Sequence, residues 1–216
     1  LGSEMLGRLK GQREGVLRLR IGSVATLSRN YQDNWLRPLL SDPALCLTLE
    51  SGLLDGLLDR LLHHQLDVVL ANEAVPADPE RPLHCRLLAS QPMSLVGRAE
   101  AWQGRQLDIP HGLHGIEMAL PGARHAVRAR FDALCATANV EPLVRAEVDD
   151  MAMLRLIARD SGWLAFVPEV VVQDELENGR LVVVGVSDEL REHFYAITTP
   201  QRYRPPVLDL LMAGGH

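Results

Sequence analysis

Three short stretches carry side chains able to do binding chemistry. The first is Ser23, Val24, Ala25 and Thr26, where an alternating run, "LRLRIG", gives way to small residues and then to a helical pattern. A helix start offers unpaired backbone N–H groups, and a hydroxyl beside them completes an anion site. The plainer reading is that a hydroxyl caps the helix. The second is "LPGARHAVR", residues 120–128, containing Pro121, Gly122, Arg124 and His125. It reads as a strand end running into a helix start. A guanidinium in a cleft would grip a carboxylate through two parallel hydrogen bonds, whereas on an open surface Arg124 and His125 would simply be solvated. The third is Asp149 and Asp150. Paired acids help to coordinate a hard cation, but a cation cage needs several more oxygens at fixed positions. Two acids at a helix start also serve as caps and complement its dipole.

Other candidates carry less. "HGLHG" (111–115) lacks the partners of a zinc site, and the neighbours His63 and His64 diverge around a helix. Three scattered cysteines, Cys46, Cys85 and Cys135, form no C-x-x-C pair; free thiols fit a reducing cytoplasm. Only Arg86 beside Cys85 offers a basic neighbour to a thiol. No G-x-S-x-G, P-loop or G-x-G-x-x-G is present, so no enzyme, cofactor or metal is expected.

The elements that must position these residues follow a rhythm. "VLRLRIGS" (16–23) predicts a strand, residues 27–40 a helix that kinks or ends near Pro38, and "LCLTLES" (45–51) a strand. In "LLDGLLDRLLHHQ" (53–65), Leu54, Leu57, Leu58, Leu61 and Leu62 keep helical spacing, and "LDVVLA" (66–71) suits a buried parallel strand. This βαβαβ order implies right-handed crossovers and a parallel sheet. After a proline-rich loop come two short strands around Gln91-Pro92, within 83–98. A second block follows: strand 115–122, helix 123–139 ending at Asn139, strand 141–148, helix 149–161 and strand 162–168. The next element stops at Gly179. Strands at 180–186 and 191–199 and a helix at 205–214 complete the chain.

The 216 residues suit one large domain or two small lobes. With 22 basic and 28 acidic side chains, the net charge of −6 argues against binding a phosphate backbone. The basic stretch Arg8, Lys10, Arg13, Arg18 and Arg20 is the local exception, and it reads as a helix end and an exposed strand face. No apolar run approaches the ~20 residues of a membrane span, and no signal peptide is apparent, so a cytoplasmic location is expected.

In its order of elements and its words, the chain resembles the effector-binding domain of LysR-type transcriptional regulators. "GVLRLRIGS", "LESGLLDGLLDRLLHHQLDVVLA", "MALPGARHAVRARFDAL" and "SGWLAFVP" carry the likeness. "EVDDMAMLRL" and "DELREHFYAITTPQR" look like the branch that activates sodium/proton antiporters. The resemblance implies an α/β fold of two Rossmann-like lobes around a central cleft, similar to type 2 periplasmic binding proteins. The lobes would be residues 16–90 with 187–216, and residues 91–186, with crossovers near Ala89–Ser94 and Gly185–Glu192. Residues 1–15 would be the end of a linker helix whose DNA-binding winged helix-turn-helix is missing here. The resemblance implies a small-molecule or ion effector held by Ser23, Val24, Ala25, Thr26, Pro121, Gly122, Arg124, His125, Asp149, Val167 and Pro168. It also implies homo-oligomers: dimers, with tetramers in the intact protein. The competing reading is a stand-alone solute-binding protein for a small anion.

Overall fold

The structure, a computed structural model, describes residues 16–200 and 205–213. The expected linker, residues 1–15, lies outside the described residues.

Apolar alternation and continuous apolar runs become strands, and leucine-rich helical stripes cover them. In chain order the elements are β1 (Leu17–Val24), α1 (Arg29–Leu36), β2 (Leu45–Gly52), α2 (Leu54–Leu62), β3 (Val68–Ala71) and β4 (His84–Arg98). Then come α3 (Ala99–Trp102), β5 (Glu117–Pro121), α4 (Arg128–Thr137), β6 (Leu143–Val148), α5 (Met151–Asp160), β7 (Leu164–Pro168), α6 (Gln173–Glu177), β8 (Leu181–Thr198) and α7 (Pro206–Ala213). The strands form one mixed sheet in the order β2-β1-β3-β8-β4-β7-β5-β6. β1 runs parallel to β2 and β3, and β5 runs parallel to β6 and β7. The two long strands β4 and β8 are antiparallel and join the parallel trios.

The buried side chains divide along the same line. One core gathers Leu19, Ile21, Leu57, Leu61, Leu70, Phe194 and Leu211. The other side of the sheet has two clusters, one around Phe131, Phe166 and Leu190, the other around Leu154, Val167 and Leu181. β3 is buried at all four residues, as its unbroken apolar run predicts. Burying a side chain of the Leu or Val kind stabilises by about 1.5–3 kcal/mol, so this short strand anchors the first core. Of the basic stretch, Arg20 pairs with Asp67 at 2.8 Å and pins β1 to the start of β3, while Arg8, Lys10 and Arg13 lie outside the described residues.

Four sequence expectations change. The two short strands around Pro92 are one strand, β4; proline donates no hydrogen bond, but here it sits where the ladder shifts register, between Pro92 and Met93. The strands at 180–186 and 191–199 are likewise one strand, β8, and Asp188, Glu189 and Leu190 bulge out of its ladder with β4. The first helix is shorter than 27–40: Ser28 caps it, accepting from the Tyr31 N–H at 3.3 Å, and it tightens into a 3-10 turn over Arg37–Leu39. The helix drawn over 123–139 begins only at Arg128, because residues 123–127 form turns after β5. Asn139 ends that helix with a positive φ of 54°, as a C-terminal cap does.

Candidate functional site

In open α/β sheets, ligands lie beyond the carboxyl ends of parallel strands. Five such ends converge here. The turns after β1, β2 and β3 bring Val24, Ala25, Thr26, Gly52, Leu53, Leu54, Asn72 and Glu73; the ends of β5 and β6 bring Arg124 and Asp149. Together they line one cavity of about 140 Å³.

The side from the first core is neutral except for Glu73. The Thr26 hydroxyl donates to Asn72 Oδ1 at 3.2 Å. Asn72 is buried, and its Nδ2 has no hydrogen-bond partner among the described residues. The side from the second core is charged. Arg124 Nη2 donates to Asp149 Oδ2 at 2.6 Å, and both side chains remain substantially exposed. The hydrogen bond to Asp149 raises the Arg124 pKa, so the guanidinium stays cationic. A Cβ on Gly122 would overlap the Asp149 carboxylate, so a larger residue there would displace that carboxylate from its place beside Arg124. Asp150 does not share the cavity: it caps α5, accepting from the Ala152 N–H at 2.8 Å.

The structure thus gathers Val24, Ala25, Thr26, Arg124 and Asp149 of the candidate residues around one cavity. The others lie nearby in different roles. Ser23 is buried in β1 and borders a groove between α1 and β2. Pro121 ends β5, and Gly122 donates to the Val148 carbonyl, tying the ends of β5 and β6 together. Val167 and Pro168 are buried at the end of β7. His125 points inward rather than to solvent. Its Nδ1 accepts the Val127 N–H at 3.3 Å, so Nε2 carries the proton and faces Glu192 Oε2 at 3.2 Å. Both side chains are almost wholly buried, and neither facing atom makes a hydrogen bond among the described residues.

Gly52, Leu53, Leu54, Asn72 and Glu73 escaped the sequence reading. The signal was the polar pair "NE" directly after the apolar run of β3. Among the described residues, no three His, Cys, Asp or Glu side chains cluster to hold a metal ion.

Hydrogen bonds also tie α1 to the segment that follows β7. Asn30 Nδ2 donates to the Val171 carbonyl at 3.3 Å, and Asn34 Nδ2 donates to Gln173 Oε1 at 3.0 Å. Tyr31 stacks on Phe194 of β8, with centroids 3.8 Å apart, and burial pushes its pKa up to about 12.

Solved structures share this architecture. The regulatory domain of HypT from Salmonella typhimurium is 16% identical, with a TM-score of 0.69; the match covers 94% of this chain and 97% of that one. The CcmR regulatory domain from Synechocystis PCC6803, in complex with 2-PG, is 15% identical over 92% of this chain and 97% of that one, with a TM-score of 0.68. CbnR, a LysR family transcriptional regulator, is 17% identical over 99% of this chain and 75% of that one, with a TM-score of 0.73. No curated protein sequence matches the chain. The fold is the mixed α/β arrangement of LysR regulatory domains, similar to type 2 periplasmic binding proteins. The family model for the LysR substrate binding domain matches residues 12–213, and the chain therefore belongs to that family.

Proposed function

We propose that the chain is the effector-sensing and self-associating part of a bacterial LysR-type transcriptional regulator, and that its effector sits in the cavity between the two trios of strands. The carrying observation is that this one cavity takes its lining from both sides of the crossing strands. A ligand there touches both lobes, residues 16–90 with 187–216 and residues 91–186, and biases their relative position. It can do so only through different affinities for the arrangements available. β8 is the natural relay. Glu192 meets His125, and the Glu189 carbonyl accepts from Arg130 at 2.9 Å, so the turn that carries Arg124 is coupled to the bulge in the crossing strand. The bound 2-PG of the CcmR domain supports a small effector. DNA would be contacted only by a separate N-terminal domain, in the cytoplasm. The words "LRLRIG" and "DELREHFYAITTPQR" favour the antiporter-activator branch.

Self-association has a physical basis in the edges of the sheet. β2 and β6 are the outer strands, and Leu49, Leu143 and Val144 are exposed on them. Each borders a groove: one with α1, lined by Leu36, Leu40 and Leu47, the other with α4, lined by Phe131, Cys135 and Val140. An antiparallel pair sets each β2 edge against the β6 edge of its partner and covers both grooves in one closed interface. Sedimentation of Leu49→Glu should then give monomer where the parent gives dimer.

The effector site is tested by a thermal-shift screen of small acids, amino acids and sodium salts with chloride controls. A ligand stabilises by its excess over its dissociation constant. Stabilisation lost in Thr26→Val and in Arg124→Gln supports the cavity; stabilisation untouched by both contradicts it.

A further inference from the structure

Resting on the cavity reading above, we propose that the effector is a small zwitterion, an amino acid with a short aliphatic side chain, rather than a simple anion. Among the described residues, the charges lining the cavity are Arg124, Asp149 and Glu73, one positive and two negative. A bare anion would have to compete with Asp149 for the only cation among the described lining residues, 2.6 Å from that carboxylate, and would face Glu73 as well. A bare cation would meet the acids but also Arg124. A molecule carrying both charges replaces one ion pair by two. Its carboxylate takes the donors of Arg124 that Asp149 leaves unused, since only Nη2 is engaged in that pair and a guanidinium has five N–H bonds. Its ammonium lies between Asp149 of one lobe and Glu73 of the other, and Glu73 has no ion-pair partner among the described residues. The ligand thereby adds an electrostatic tie between the two sides of the cleft.

Two independent features fit the same occupant. Asn72 is buried, lines the cavity, and keeps an amide donor without a partner. Unpaired buried donors are costly, and a ligand carboxylate oxygen supplies the missing acceptor. Val24, Ala25, Leu53 and Leu54 add apolar lining, suited to a methyl or isopropyl group. The volume, about 140 Å³, is well below the roughly 300 Å³ at which drug-sized pockets begin.

The test uses alanine and its two halves, propionate without the ammonium and ethylammonium without the carboxylate, each added to the chain and followed by thermal unfolding. In excess, alanine should raise the midpoint by about 3 °C or more, and each half by much less. Arg124→Gln and Glu73→Gln, both substitutions of exposed side chains, should each remove most of the alanine shift. If propionate stabilises as well as alanine and Thr26→Val abolishes the effect, the site is an anion site: the zwitterion is overturned and the cavity reading stands. If alanine stabilises but neither variant weakens it, alanine binds elsewhere and the proposal falls. If none of the three compounds shifts the midpoint, the proposal falls as well. The cavity reading falls with it only if the wider screen is equally silent.

Discussion

The first trio meets the cavity with Val24, Ala25 and Thr26, small and neutral, and with a single acid, Glu73, whereas the second meets it with Arg124 and Asp149, an exposed ion pair. Beneath these lips the characters reverse. The first lip stands beside an apolar root, Tyr31 stacked on Phe194. The second stands on a polar one, His125 against Glu192. Both roots rest on β8, at positions two apart, and so on the same face of the strand. The two sides thus differ in kind at the cavity and again beneath it, and β8 carries one residue of each packed pair.

The largest expected effect comes from cutting the polar root. His125→Ala removes the polar neighbour of the buried Glu192 carboxyl and empties the space that the ring fills, a loss of about 3 kcal/mol. Chemical denaturation should register it as a large fall in midpoint, and adding Glu192→Gln should recover part of the loss, because no ionisable group is then left buried and alone.

The apolar root should fail differently, through pH. Folding raises the Tyr31 pKa from 10.0 to about 12 by burial. The folded chain holds that proton to higher pH than the unfolded chain does. Stability from this group is therefore whole below pH 10.0 and lost as pH climbs towards about 12, by up to about 3 kcal/mol. Tyr31→Phe should flatten that alkaline limb; an unchanged limb would mean that the buried Tyr31 hydroxyl does not govern it.

Smaller effects belong to the lips. Thr26→Val removes the donor to Asn72 and should cost about 1 kcal/mol. Asp149→Asn should change stability least, by less than about 1 kcal/mol, since exposed ion pairs contribute little. Denaturation of the two variants side by side checks the order. A lip variant that destabilised more than His125→Ala would break the distinction between lip and root.

Much of this arrangement was legible in the sequence. The Leu spacing of α2 and the unbroken apolar run of β3 identify their elements without help, because each pattern reports burial directly. Pro92 was misleading, since a missing N–H reads as a strand end until the register shift that accommodates it is seen. The start of α4 was misplaced because "ARHAV" has helical composition but is held in turns, with the His125 N–H donating to the Gly122 carbonyl. Asn72, Glu73 and the Gly52–Leu54 turn were not found because their meeting depends on strand order, with β1 between β2 and β3, and not on local pattern. His125 and Glu192 illustrate the same limit: nothing local marks two residues on separate elements as a buried pair.

The claim that both lobes hold one ligand is tested most directly by amide chemical shifts recorded as alanine, propionate and ethylammonium are titrated in separately. Whichever compound binds, the account predicts simultaneous perturbation at residues 24–26, 52–54 and 72–73 of one lobe and at 122–125 and 149 of the other. Shifts confined to one lobe, or shifts centred on the groove between α4 and β6, would contradict it.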